Sequence, residues 1–253
     1  MYKIGLKLWS INTDYYYDEA IRLYNNGVYD YIELYVVPNT TDTIEKWKKL
    51  DIPFTLHAPH FAHDVNLACK DKLEYNKKIY NEVAQFEKEL KPKFTVVHGG
   101  IEGTVEELVR QLKIIRPKNI LIENKPYRVP LGEKKLCRGY NIKEIKYVLD
   151  NYGCGFCLDI GHAICSANSL SLEPYGYISE FNELNPICYH LSDGYIDSPV
   201  DKHLHIGSGT YDINKILNII GNKKTISIET NKDSKVDLED FRIDVEKIYD
   251  LSK

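Results

Sequence analysis

Eight short, apolar, β-rich runs recur along the chain, and each neighbouring pair is separated by a segment long enough to hold a helix. Strands that are nearly all apolar are typical of a parallel sheet buried on both faces. Eight βα units favour a closed barrel over an open sheet, and no glycine-rich phosphate loop follows the first run. The sequence therefore predicts an α/β fold, a single (β/α)8 TIM barrel. The predicted strands span residues 3–9, 29–36, 53–57, 94–98, 119–123, 155–159, 187–191 and 225–229.

Helical spacing of apolar residues between these runs predicts helices over 73–90, 105–115, 142–149, 213–220 and 238–251. The length of 253 residues suits one barrel, and no linker or change of composition divides it. We therefore expect one domain over residues 1–253.

No uninterrupted apolar run of about 18 residues predicts a membrane span. The start, MYKIGLKLWS, lacks the features of a signal peptide, so we expect a cytoplasmic protein whose six cysteines are reduced. A net charge of −4 disfavours a broadly basic nucleic-acid-binding surface, although a local basic path is compatible with it.

Titratable residues follow the ends of the predicted strands repeatedly, in the motifs HAPH, VHGG, IEN, DIGH, HLSD, DKHLH and IET. Seven of the eight histidines lie in these motifs, the eighth, His63, follows HAPH by three residues, and none lies in a predicted intervening helix. A parallel barrel gathers its strand ends at one mouth, where converging carboxylates repel unless cations offset their charge. Mixed imidazole and carboxylate ligands suit zinc, manganese or iron. The sequence therefore predicts a metal site at this mouth.

Seven segments carry a family resemblance: HAPHFAHDVNLA, VVHGG, LIEN, CLDIGHA, YHLSDG, DKHLHIGSG and SIET. They resemble the xylose-isomerase-like barrels, and within these the endonuclease IV group (AP endonuclease family 2). The resemblance implies a hydrolase with up to three zinc ions that cleaves DNA at abasic sites, with Glu123 and Glu229 in catalytic positions. The metal ligands that it implies are His60, His98, Glu123, Asp159, His162, His190, Asp201, His203 and Glu229.

Four further residues are predicted to contact substrate or to orient ligands: Glu33, His57, Asp193 and His205. The segments that handle DNA depart from the endonuclease pattern. The loop after the second strand, VVPN, has no Arg or Gln, and His63 stands where the family places a Tyr, three residues after the predicted third-strand ligand. Damaged DNA is therefore the partner implied by the resemblance, whereas these loops argue against it.

The alternative is a sugar or sugar-phosphate isomerase or epimerase, which Glu33 in the IELY strand resembles. That branch implies one divalent metal held by Glu123, Asp159, His190 and Glu229, with carboxylates that move a proton between adjacent carbons. These four ligands are a subset of the nine, whereas His60, Asp201 and His203 favour a site with several ions. A barrel that binds metal without catalysis is the third interpretation.

Two other features are interpreted as structural. Cys154 and Cys157 form a CxxC at the end of the barrel opposite the mouth, with no second pair. A basic loop follows the fifth strand and is predicted to be solvated, with a phosphate-binding path as the alternative. Its members are Lys125, Arg128, Lys134, Lys135 and Arg138.

Overall fold

The computed structural model describes residues 2–129 and 135–252, so Lys134 of the basic loop lies outside the described residues. Eight parallel strands pair in chain order and close into a barrel when the last strand pairs with the first. The predicted TIM barrel is confirmed. Its strands are β1 (Lys3–Trp9), β2 (Tyr31–Tyr35), β3 (Phe54–His57), β4 (Thr95–His98), β5 (Ile120–Glu123), β6 (Gly155–Asp159), β7 (Cys188–Leu191) and β8 (Thr225–Ile228).

Helices cover the outside of the barrel. In the described part of the chain they are α1 (Tyr17–Asn25), α2 (Ile44–Lys48), α3 (Leu73–Leu90), α4 (Val105–Ile115), α5 (Ile142–Tyr152), α6 (Ile160–Ser169), α7 (Pro174–Asn182), α8 (Ile213–Ile220) and α9 (Glu239–Leu251). The helices predicted over 73–90, 105–115 and 213–220 have these bounds in the structure. The helix predicted over 142–149 continues to Tyr152 and ends at Gly153, whose φ of +78° is the left-handed conformation that glycine adopts readily.

Side chains alternate along each strand, so the strands carry two kinds of residue. Leu6 and Leu8 of β1 pack into the large core between barrel and helices, whereas Lys7 points into the barrel and contacts other strands. A separate apolar cluster fills the barrel below its mouth. It consists of Phe94, Val96, Leu121, Cys157 and Cys188. The polar mouth thus rests on a closed apolar floor.

Gly5 makes room for one aromatic ring inside the barrel. A Cβ at this position would lie 2.4 Å from Cζ of Tyr31. The Tyr31 hydroxyl is thereby placed 2.8 Å from the Ser227 hydroxyl on β8. This close approach connects the interior of β2 with that of β8, directly below the polar mouth.

Among residues 2–129 and 135–252, no helix combines the length and the apolar composition that crossing a membrane requires.

Candidate metal centre

Glu123, the last residue of β5, lies at the middle of the mouth and is 1% exposed. Its Oε2 is 3.2 Å from His57 Nε2 and 3.1 Å from His98 Nε2, and these two nitrogens are 3.1 Å apart. Its other oxygen, Oε1, is 2.9 Å from His162 Nδ1. The two oxygens of one carboxylate therefore face different histidines.

A second group of ligand types lies beside Glu123 on the neighbouring strand ends. Nδ1 of His190 is 3.4 Å from Glu123 Oε2, 3.0 Å from Glu229 Oε1 and 3.9 Å from Asp159 Oδ2. Glu123, Asp159 and His190 each direct one ligand atom to a common point, with these atoms within 4.8 Å of one another. The structure thus brings together the four residues that a single-metal site would use.

A third group forms where β6 leads into α6. Asp159, His162 and Asp201 also place ligand atoms within 4.8 Å of one another. His203 joins this group, because its Nε2 is 3.1 Å from Asp201 Oδ2. Its Nδ1 lies 2.8 Å from the Glu229 carbonyl oxygen, and a bond donated to that oxygen leaves the Nε2 lone pair facing Asp201.

The start of α6 positions two members of the third group, Asp159 and His162. Asp159 caps the N-terminus of α6, and its Oδ1 accepts a hydrogen bond from the His162 backbone N–H at 2.6 Å. This bond occupies one carboxylate oxygen and leaves Oδ2 facing the mouth, 3.4 Å from His162 Nδ1. Because one helix turn carries both side chains, their relative positions are fixed by the start of α6.

Some buried polar atoms of the mouth residues lack the hydrogen bonds that such atoms usually make. Within the described residues, His98 Nδ1, His190 Nδ1 and Asp201 Oδ2 have no hydrogen-bond partner. His190 Nδ1 is nevertheless close to a carboxylate oxygen, as two ligands of one ion are. A tetrahedral zinc site with bonds of about 2.0 Å places neighbouring ligand atoms about 3.3 Å apart. The triangle of His57, His98 and Glu123 atoms, with sides of 3.1–3.2 Å, fits this spacing.

The charges of the mouth are strongly coupled. Burial alone would raise the pKa of Glu123, but charge on His98 and Lys125 holds it well below its usual range. The same balance applies to Glu229, where His190 and Lys7 outweigh burial and keep its pKa low. In contrast, burial and the neighbouring carboxylates raise the pKa of Asp159 to about 6, despite the opposing effect of His162. Asp159 is therefore the carboxylate that most needs a further cation to stay ionised.

His57 and His60 occupy different places from those that the sequence suggested. His57, expected outside the ligand set, is the third-strand residue that contacts Glu123 and His98. His60, expected as a ligand, stacks its ring on that of His98 at a centroid distance of 4.5 Å. Its Nδ1 accepts a hydrogen bond from Ala62 N–H at 3.3 Å. The sequence feature that indicated this contact was position: His57 is the last residue of its strand, as His98 and Glu123 are of theirs.

Lys7 is a residue of the mouth that sequence reasoning missed. Its Nζ lies 2.6 Å from Glu33 Oε1 and 2.6 Å from Glu229 Oε1. Glu33 is fully buried, and its Oε1 is also 3.0 Å from His190 Nε2. Burial opposes ionisation of Glu33, but His190 and Lys7 hold its pKa at about 2. A lysine between two leucines of the strand KIGLKLW, in register with Glu33, was the signal.

Lys125 does not lie in a solvated loop, contrary to the prediction. It is 5% exposed, and its Nζ lies among the ligand atoms. The ammonium is 3.0 Å from Glu123 Oε1, 3.2 Å from His98 Nε2 and 3.2 Å from both ring nitrogens of His162. Arg138 of the same loop is engaged elsewhere, in an ion pair of 2.8 Å with Glu144. One lysine of the basic loop therefore belongs to the candidate metal centre.

Asp193 and His205 lie outside the ligand groups described above. Asp193 accepts hydrogen bonds from the backbone N–H groups of Gly194, Gly207, Gly209 and Tyr211, and so organises the loop that carries Asp201 and His203. His205 places Nδ1 2.8 Å from the buried Asp244.

The six cysteines are free thiols. Cys154 is half-buried, whereas Cys157 is fully buried in the apolar floor and pairs in register with Cys188. The two residues of the CxxC thus lie in different surroundings. Cys157, Cys188 and His190 could also place ligand atoms within 4.8 Å of one another, below the mouth.

No family model and no curated protein matches the chain. Among solved structures, endonuclease IV from Thermus thermophilus is similar with a TM-score of 0.71 at 18% identity over 98% of both chains. A D-tagatose 3-epimerase-like protein has a TM-score of 0.67 at 19% identity, covering 98% of this chain and 96% of its own. A xylose isomerase domain protein from Alicyclobacillus acidocaldarius subsp. acidocaldarius has a TM-score of 0.63 at 13% identity, covering 99% of this chain and 98% of its own.

The chain therefore shares its (β/α)8 barrel fold with these solved structures. Proteins named as an endonuclease and as sugar epimerase-like or isomerase domain proteins share this fold, so a functional choice between them depends on the mouth of this barrel.

Proposed function

We propose that this protein is a metal-dependent phosphoester hydrolase whose centre holds more than one divalent ion. The observation that carries the proposal is the position of Glu123, whose Oε2 faces His57 and His98 while its Oε1 faces His162. A carboxylate between separate histidine sets is suited to bridge two ions. A single-metal site would need only one of these sets.

The chain offers three sets of ligands, joined by shared carboxylates. The first is His57, His98 and Glu123; the second is Glu123, Asp159, His190 and Glu229; the third is His162, Asp201 and His203. Zinc suits this mixture of imidazole and carboxylate, with manganese or iron as alternatives. Bound there, divalent ions would activate a water molecule and neutralise charge on a phosphoester.

The surrounding residues keep this centre ready for such a substrate. Lys7 holds Glu229 in place and ionised, so that Glu229 and Glu123 both face the reacting position as carboxylates. The hydrogen bond from His162 N–H fixes Asp159. The hydrogen bonds that Asp193 accepts order the loop that carries Asp201 and His203. Substrate would therefore meet ligands that are already oriented.

The proposed substrate class is a phosphoester, with an abasic site in DNA as the case to test first. The rim beside the centre carries Trp9, Ile11 and Tyr15, which are 51%, 44% and 48% exposed. These side chains offer stacking and apolar contact but no charge for a phosphate backbone, and the net charge of −4 adds none. A small phosphodiester or a sugar phosphate fits this rim better than a long duplex.

A sugar isomerase or epimerase with one ion is the second candidate, and Glu33 is the observation that favours it. This carboxylate lies in the mouth 3.0 Å from His190, on the side opposite Glu123. Carboxylates on two sides of a bound sugar are what proton transfer between adjacent carbons requires. Glu33 is engaged by Lys7 and Ser227, however, and a single ion leaves the third ligand set without a role.

The test is hydrolysis by the zinc-loaded protein of a chromogenic phosphodiester and of a duplex with one abasic site, alongside its metal content. We expect more than one ion per chain and hydrolysis that Glu123→Gln abolishes. Glu74→Gln, at a position on α3 where the side chain is 80% exposed, is the control that should retain activity. One ion per chain, no hydrolysis, and ketose–aldose conversion that Glu123→Gln removes would replace the proposal with the isomerase.

A further inference from the structure

The ammonium of Lys125 lies where a metal ion would meet its ligands. Its three nearest groups are Glu123 Oε1, His98 Nε2 and the His162 ring, all within 3.0–3.2 Å. Only one of these groups is a carboxylate, and the other two are imidazoles. The side chain is 6% exposed, so its charge is balanced by protein atoms rather than by water.

An imidazole nitrogen has one lone pair, which accepts a hydrogen bond or binds a metal but does not do both. His98 Nε2 is the atom that completes the triangle with His57 and Glu123, and it is also the acceptor 3.2 Å from Lys125. An ion bound to His98 would in addition lie within a few ångströms of the ammonium, in a buried place where like charges repel strongly. The lysine and that ion therefore exclude each other.

We propose that Lys125 is a built-in cation that competes for His98 with the divalent ion of the His57, His98 and Glu123 set, so that the centre holds one ion fewer than its ligands allow. The inference rests on the proposed metal centre and concerns its stoichiometry. In the second set, Asp159, His190 and Glu229 make no contact with Lys125 among the hydrogen bonds and ion pairs of the described residues, and Glu123 faces the lysine with Oε1 but His190 with Oε2. That set stays open to metal whether the lysine is present or not.

The experiment compares zinc per chain in the wild-type protein and in Lys125→Met, after equilibration with buffered free zinc and measurement by plasma mass spectrometry. Methionine keeps the length of the side chain and removes the charge. We expect Lys125→Met to bind one more zinc ion per chain, with a new anomalous peak beside His98. Lys125→Arg keeps a cation and should keep the wild-type count, as should Lys88→Met, where the lysine is 81% exposed.

Equal zinc content in the wild-type protein and Lys125→Met would overturn the inference. A raised KM of Lys125→Met for the phosphoester with unchanged metal content would also overturn it, because Lys125 would then be a phosphate contact. If Lys125→Met does not fold, anomalous density in zinc-loaded wild-type crystals decides. An ion on His98 with Lys125 turned away contradicts the inference, and no ion on His98 supports it. Hydrolysis is scored separately, since a difference in stoichiometry without hydrolysis removes only the proposed function.

Discussion

Lys7 and Lys125 enter the same barrel mouth from opposite sides, one from β1 and the other just after β5, and they meet different partners. Lys7 contacts two carboxylates, Glu33 and Glu229, at 2.6 Å each. Lys125 contacts one carboxylate and two imidazoles at longer distances. The side of Lys7 is thus an ion-pair network in which Lys7 and His190 both contact two carboxylates, whereas the side of Lys125 presents imidazole nitrogens to whichever cation is there.

This difference separates two roles that a buried lysine can have. Two carboxylates cannot both lose their ammonium without leaving uncompensated buried charge, so Lys7 is a fixed part of the fold. Imidazole nitrogens bind an ammonium weakly and bind zinc strongly, so Lys125 holds a place that metal can contest. Substitutions on the two sides should therefore affect different quantities, stability in one case and metal binding in the other.

The largest effect on stability is expected from Lys7→Met. Removal of the ammonium leaves Glu33 and Glu229 close together without their shared partner, and breaking a buried pair of this kind costs about 3–5 kcal/mol. Urea unfolding in the presence of a chelator measures this loss. Lys3→Met, at an exposed position of the same strand, should change the free energy of unfolding by less than about 0.5 kcal/mol. A loss below about 1 kcal/mol for Lys7→Met would show that the network is not a fixed part of the fold.

On the side of Lys125, His57→Ala should weaken zinc binding more than His60→Ala when both are made in the Lys125→Met protein, where the lysine no longer excludes the ion from His98. His57 contacts Glu123 and His98, so its loss should lower zinc affinity at least about 100-fold, since residues that only orient a ligand already contribute about 10–100-fold. His60→Ala should cost less than about 10-fold, because His60 packs on the ring of His98. Competition with a chromogenic chelator measures both. A larger loss of zinc affinity from His60→Ala than from His57→Ala would indicate that His60 is the ligand.

The smallest effect is expected from Ser227→Ala, which removes one bond from the Lys7 network. The Ser227 hydroxyl donates to Glu33 Oε2 at 2.5 Å, and a hydrogen bond to a charged group contributes about 1.5–3 kcal/mol. We expect the free energy of unfolding to fall by about 1.5 kcal/mol, the lower end of this range, because Lys7 and His190 still contact Glu33. Thermal unfolding with Ser252→Ala as an exposed control checks it. Changed zinc affinity with unchanged stability would mean that the two sides are not separate.

The fold was predictable because apolar runs at regular intervals determine both the strands and their order. Glu123, Asp159 and His190 were also predictable as members of one group, since each lies at or next to the C-terminal end of its strand. The positions of Lys7 and Lys125 and the contacts of His57 with Glu123 and His98 were not predicted. Their partners come from other strands, and which atoms meet depends on register and on the reach of long side chains, neither of which a single sequence specifies.

The capping bond between Asp159 and the start of α6 has a consequence for how the centre arises. Two of its ligands are three residues apart and are oriented by one helical turn, so their geometry is established as soon as that turn forms on its strand. The other ligands join only when distant strands close the barrel. This corner of the centre is therefore assembled by local folding, and a substitution that moves the beginning of the helix would displace both ligands as one unit.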